Sequence, residues 1–109
     1  MCSTVAKGLP NYAFLVAGLG ESQAVAAWLD EGGGVDAGCA EYDDGTLLMA
    51  ATAGGHEAMV RMLLQRGASV NMQDSLGGTA LMGAAVFGHT MTVQVLLDAK
   101  ADASLQDND

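Results

Sequence analysis

The 109-residue sequence predicts an all-α solenoid of stacked helix-turn-helix units. The first observation behind this is a fixed period. Gly45-Thr46 returns as Gly78-Thr79, His56 as His89, Leu63-Leu64 as Leu96-Leu97 and Asp74 as Asp107, each 33 residues on. The second is that each period holds two short helical patterns divided by glycine. The third is a weaker, earlier copy at an offset of 35, in which Gly20 matches Gly55, Val25 matches Val60, Leu29 matches Leu64, Gly32 matches Gly67 and Val35 matches Val70.

Taken in order, Met1–Pro10 reads as a frayed tail. Pro10-Asn11 starts a helix with Asn11 as the cap candidate, and Ala13–Leu19 continues it to Gly20. A second helix runs over about Glu21–Glu31, with Val25, Trp28 and Leu29 on one face, and Gly32-Gly33-Gly34 stops it. The two residues by which this copy exceeds 33 fall between Asp36 and Gly45, at a loop tip where length is tolerated. In the second copy Thr46 caps a helix to about Ala53, and Gly54-Gly55 breaks it. A helix over about His56–Arg66 follows, buried through Met59, Val60, Leu63 and Leu64. Glu57 and Arg61 form an i,i+4 pair on it, and Gly67 is its left-handed stop. The third copy predicts helices over about Thr79–Val86 and Thr90–Ala99, with Val93, Leu96 and Leu97 as the stripe. Lys100 stands where Gly67 stands, at a cost of about 1 kcal/mol for a non-glycine residue in left-handed conformation.

Composition limits the partners. The net charge of −9 disfavours nucleic acid and an anionic membrane surface, both of which select clustered Lys and Arg. It is compatible with solubility alone or with a basic protein partner. Cys2 and Cys39 make neither a disulfide framework nor a metal quartet, which fits a reducing compartment. No apolar run reaches membrane-spanning length, and no basic cluster leads the apolar stretch Tyr12–Leu19. The seven Met residues suit adaptable packing.

The residues from about Asn11 to Asp107 closely resemble the ankyrin repeat. Its pattern is met by Thr46, Leu48, Ala51, Gly55, His56, Val60, Leu63, Leu64, Gly67, Ala68, Val70, Asn71 and Asp74. It is met again by Thr79, Leu81, Ala84, Ala85, Gly88, His89, Val93, Leu96, Leu97 and Asp107. The resemblance implies a tail over 1–10 and an ankyrin repeat domain over 11–109, with repeats at about 11–41, 42–74 and 75–107. It implies antiparallel helix pairs joined by β-hairpin fingers, and a protein–protein interaction role without catalysis or cofactor. Partners would bind at the finger tips and the concave face of the inner helices. The corresponding positions are Tyr42, Asp43, Gly45, Gln73, Ser75, Leu76, Gly78 and Gln106 on the fingers, with Gly18, Leu19, Ala53, Gly54, Val86 and Phe87 on the inner helices.

There are departures from the pattern. Its Pro is replaced by Leu47 and Ala80, and its His by Met49 and Met82, with loss of a local hydrogen bond. Ser104 replaces the Asn71 equivalent, so the last finger is the least secure. The sequence stops as another finger would begin. That reads either as a piece of a longer array or as a protein with a poor C-terminal cap, whose exposed face could drive self-association.

Chemistry-bearing residues find structural readings. His56 and His89 occupy identical repeat positions after a helix-breaking glycine, and no nucleophile–base–orienter set accompanies them. Cys39, expected exposed in the long loop, has Asp36, Glu41, Asp43 and Asp44 nearby, which disfavours the thiolate. Gly32-Gly33-Gly34 lacks the Lys-Ser/Thr of a phosphate loop. Glu41, Asp43 and Asp44 lack the alternating spacing of a calcium loop. Asn71 matches the hairpin Asn that asparaginyl hydroxylases modify in some ankyrin proteins, and it also suits a tie between hairpin strands. The acidic run from Asp30 to Asp44 is either a solvated face or a rim that steers a basic segment, with Tyr42 as its aromatic anchor. Leu76, Val86 and Phe87 make an exposed apolar patch for a partner, or Phe87 packs on the neighbouring repeat. The predicted function is a binding module for a basic or amphipathic segment of another protein, in the cytoplasm or nucleus. The alternative is a structural spacer within a larger scaffold, enzyme or channel.

Overall fold

The computed structural model describes residues 9–102. Six helices run in three antiparallel pairs: α1 Asn11–Gly18 with α2 Ser22–Asp30, α3 Leu47–Ala53 with α4 Glu57–Gln65, and α5 Ala80–Val86 with α6 Thr90–Asp98. The shorter inner helices stack in the order α1, α3, α5, and α4 packs on α6. Between them lies a core of Ala13, Ala17, Val25, Leu47, Leu48, Ala51, Met59, Val60, Leu63, Ala84 and Leu96. Most of the buried positions on the inner helices are alanine (Ala13, Ala17, Ala50, Ala51, Ala80 and Ala84), whose small side chains permit close stacking.

Local chemistry fixes where each helix starts. The Thr46 and Thr79 hydroxyls accept from the N–H groups of Met49 and Met82, each at 3.3 Å, satisfying donors that the first turn leaves unpaired. The hydrogen bond expected to be lost with the motif His survives in weak form at Met49, whose thioether accepts from the Thr46 N–H at 3.4 Å. Asn11 is not a cap. Pro10 takes that place with φ −66° and ψ 151°. The Asn11 amide instead donates to Glu41 Oε1 at 2.8 Å and accepts from Cys39 Sγ at 3.1 Å, tying α1 to the first finger. Just before it, Leu9 is buried and its N–H donates to the Gly38 carbonyl at 2.9 Å.

The helix ends repeat as well. Each closes with a bond from an N–H to a carbonyl five residues earlier: Glu21 to Val16, Gly33 to Trp28, His56 to Ala51, Ala68 to Leu63, His89 to Ala84 and Ala101 to Leu96. This closure needs a left-handed residue, and Gly67 supplies it at φ +94°. Lys100 adopts the same conformation at φ +75° with a side chain attached, as its register with Gly67 predicts.

The fingers are turns and not extended hairpins. Among the described residues the β pairing is a single antiparallel bridge between Cys39 and Gly45. The two extra residues of the first repeat are taken up inside that bridge. A 3-10 turn over Ala40–Tyr42 leads into Asp43 and Asp44, both left-handed at φ 58° and 62°. Cys39, expected exposed, is 1% accessible, because the bridge turns its side chain inward toward Asn11. The second finger is clasped by Asp74, whose Oδ1 accepts from the Leu76 and Gly78 N–H groups at 2.9 and 2.8 Å. The two fingers are joined where Ser75 N–H and Oγ both donate to the Asp43 carbonyl, at 2.7 and 3.0 Å.

The stripe of α6 differs in part from expectation. Leu96 is buried, Val93 is half-buried and Leu97 is 41% exposed, while Val95 is buried without having been read as core. Leu64, one period earlier, is half-buried because α6 packs over α4; Leu97 has no such neighbour among the described residues.

Candidate functional site

The stacked inner helices and the fingers enclose an open groove of about 820 Å³. Its floor is made of small residues, Gly18, Ala50, Ala53, Gly54 and Gly83, contributed by α1, α3, α5 and their ends. An incoming chain can therefore approach the helix backbones closely. Larger side chains form the walls. On the finger side Tyr42 stacks on Phe14, ring centroids 4.6 Å apart and planes inclined by 8°. This offset stack holds Tyr42 at the rim while leaving it 40% exposed. Met49 and Met82 line the middle, one above the other at equivalent repeat positions. At the far side stand Leu19, Val86 and Phe87. Val86 and Phe87 are 77% and 61% exposed, far more than core positions. Phe87 lies against the His89 ring at 6.2 Å, so it is braced by its own repeat while most of its surface faces solvent.

The predicted site residues divide into two groups. Tyr42, Val86 and Phe87 line the groove together with Gly18, Leu19, Gly45, Ala53, Gly54 and Gly78. Asp43, Gln73, Ser75 and Leu76 lie on the fingers outside that lining. There Ser75 and Asp43 hold each other through the Asp43 carbonyl, and the Gln73 amide donates to the Gly77 carbonyl at 2.9 Å. Leu76 is 54% exposed at the tip of the second finger. Gln106 lies outside the described residues. Phe14, Leu15, Met49, Met82 and Asp74 also line the groove and were not read as site residues. The recurrence of Met at positions 49 and 82 was a usable signal for two of them. The Phe14 contact joins residues 28 apart and leaves no local trace.

The groove is apolar with a negative bias. Among the described residues Asp74 is the one carboxylate in its lining, and no Lys or Arg lines it. Asp43 and Asp44 stand exposed on the adjoining finger. Three other members of the acidic run are engaged elsewhere. Asp30 pairs with Arg66 at 2.9 Å, Asp36 accepts from the Ser69 N–H and hydroxyl at 2.8 and 2.7 Å, and Glu41 accepts from Asn11. So the acidic run divides: Asp30 and Asp36 cross-link neighbouring repeats, while Asp43 and Asp44 lie beside the groove.

Both histidines join repeats. His56 Nε2 lies 2.7 Å from the Gly18 carbonyl, and His89 Nε2 lies 3.0 Å from the Ala53 carbonyl. A carbonyl only accepts, so each Nε2 carries the proton. Each imidazole also fills the space above a left-handed glycine: a Cβ on Gly20 would come within 2.7 Å of the His56 ring, and one on Gly55 within 2.8 Å of the His89 ring. These rings are mortared into the repeat junctions. Asn71 makes a comparable tie, its Oδ1 accepting from the Asp102 N–H at 2.7 Å.

Comparison with known proteins agrees with this geometry. The family described as ankyrin repeats (3 copies) matches residues 13–107. The chain belongs to the ankyrin-repeat family. A curated relative is the Ankyrin repeat and SAM domain-containing protein 6 of Mus musculus, 44% identical over 48 residues, which is 44% of this chain and 5% of the mouse protein. The ankyrin-repeat chain thus spans a small part of that relative's length. Ankyrin repeats are in general non-enzymatic modules of protein–protein interaction. No helix among the described residues is long and apolar enough to cross a membrane.

Proposed function

We propose that this ankyrin-repeat domain binds a basic or amphipathic segment of another protein in the groove between its fingers and inner helices. The observation that carries the reading is an exposed apolar groove whose lining, among the described residues, holds one carboxylate and no basic side chain. Tyr42 and Phe87 anchor apolar side chains of the partner from opposite walls, with Leu76 gripping from the second finger. Asp43 and Asp44 attract the cationic end and raise the association rate. The role is non-enzymatic and cofactor-free, with no nucleic-acid or membrane partner. The place is the cytoplasm or nucleus.

The test is affinity capture from source-cell lysate by the intact chain and by a Tyr42→Ala, Leu76→Ser, Phe87→Ser variant, with circular dichroism showing both folded. A specific protein retained by the first and lost by the second is the expected result. Its binding should weaken with added salt, and that salt dependence should shrink in Asp43→Asn, Asp44→Asn. Equal capture by both chains would sink the proposal.

A second reading has one observation in its favour, the small share of the mouse relative that the match takes up. On it, the repeats are a spacer within a larger protein. Mass measurement of the native protein separates the two.

A further inference from the structure

The methionines divide by their surroundings. Met59 is 1% exposed in the core, while Met72 and Met91, outside the groove lining, are 37% and 66% exposed. Met49 and Met82 differ from both. They are half-buried and line the groove on the stacked helices α3 and α5. They stand 33 residues apart (82−49), where the ankyrin pattern has His. Each also lies at a helix cap. The Thr46 N–H donates to the Met49 sulfur at 3.4 Å, and the Thr46 hydroxyl accepts from the Met49 N–H. Helix α5 has the hydroxyl half of this cap at Thr79 and, among the described residues, no bond to the Met82 sulfur.

We infer that Met49 and Met82 are a paired site of reversible oxidation by hydroperoxides, which turns the groove from apolar to polar and leaves the helices standing. In the reaction a sulfur lone pair attacks one peroxide oxygen and the O–O bond breaks. The other oxygen takes up the proton and leaves as an alcohol or water. Sulfur is oxidised by two electrons and the peroxide is reduced by two, and enzymatic reduction returns the thioether. A thioether is a weak hydrogen-bond acceptor, whereas the sulfoxide oxygen is a strong one. On α3 that oxygen takes over the Thr46 N–H, and on α5 it supplies the half of the cap that Thr79 lacks. On the groove side the same oxygen holds water that an apolar side chain has to strip away, which disfavours binding. Release of a bound segment by oxidation rests on the reading of the groove given above; the chemistry of the two sulfurs does not.

The test treats the 109-residue chain with hydrogen peroxide and probes the groove with Nile red, a neutral apolar dye. Loss of dye binding in Tyr42→Ala, Phe87→Ser first places the dye in the groove. Peptide mass spectrometry should then show Met49 and Met82 oxidising at least about tenfold faster than Met59. Dye affinity should fall by about tenfold as they do, with helix content by circular dichroism unchanged, and methionine sulfoxide reductase should restore it. In Met49→Leu, Met82→Leu, which conserves volume and removes both sulfurs, peroxide should not change the affinity, although Met72 and Met91 still oxidise. Oxidation of the pair as slow as that of Met59, affinity that survives it, an equal loss in the leucine variant, loss of helix or failure of the reductase would overturn the inference alone. A dye that does not bind the untreated chain, or that ignores the Tyr42 and Phe87 changes, would overturn the groove reading and this inference with it.

Discussion

Lys100 shows what a single dihedral angle costs. Its φ of +75° is imposed by the closing turn of α6, which needs the conformation that Gly67 provides at the end of α4. The side chain gains nothing from it, being exposed at that turn. Lys100→Gly should therefore stabilise the chain by about 1 kcal/mol, less the extra freedom that glycine gives the unfolded state. Urea unfolding would show the midpoint rising with an unchanged slope. Gly67→Lys in the same assay should shift it the other way. Register alone exposed this position, because Lys100 aligns with a glycine. The burial of Cys39 was not legible in the same manner. Its acidic sequence neighbours describe an exposed loop, while the bridge to Gly45 and the bond to Asn11 depend on residues brought in by the fold.

Among elements, the junction between α3 and α5 rests on few polar contacts, so each counts. His89 supplies a bond to the Ala53 carbonyl and fills the space over Gly55. His89→Ala removes both and leaves a half-buried carbonyl short of a donor, which costs roughly 1–3 kcal/mol. For a domain of this size each kcal/mol lowers the melting temperature by about 4–8 °C, readable by circular dichroism. A drop that His89→Gln partly restores would mark the hydrogen bond and not the ring volume as the main contribution. The helices themselves were legible from periodic apolar residues and glycine stops, to within about two residues at each end. The Asn11 cap was misread because Asn is a good cap in isolation, and only the nearby Glu41 and Cys39 give its amide better partners. The groove was half legible. Family positions pointed to Tyr42, Val86 and Phe87, yet the stack that holds Tyr42 needs Phe14 from the opposite repeat.

At the scale of the whole molecule, charge is unbalanced. The sequence holds thirteen acidic residues and four basic ones, and the two ion pairs among the described residues, Glu57 with Arg61 and Asp30 with Arg66, are both at the surface. Exposed pairs of this kind contribute up to about 1 kcal/mol each. Screening weakens them, but it also weakens the repulsion among the excess carboxylates, which is summed over many more pairs. Sodium chloride raised from low to about 0.5 M should therefore increase the thermal midpoint. A falling midpoint would show that the two pairs outweigh the repulsion.

The stacking of α1 on α3 and α3 on α5 also determines how the molecule yields to force. Each repeat grips its neighbours and little else, so a pull on the two ends loads the junctions in series. The domain gives way at its weakest junction and unspools a repeat at a time, each 33-residue unit releasing about 110 Å of chain. Because the histidine and glycine are the same at both junctions, the order in which this spring of three coils opens is set by the ties that differ between them, such as Asp36 with Ser69 at one and Asn71 with Asp102 at the other.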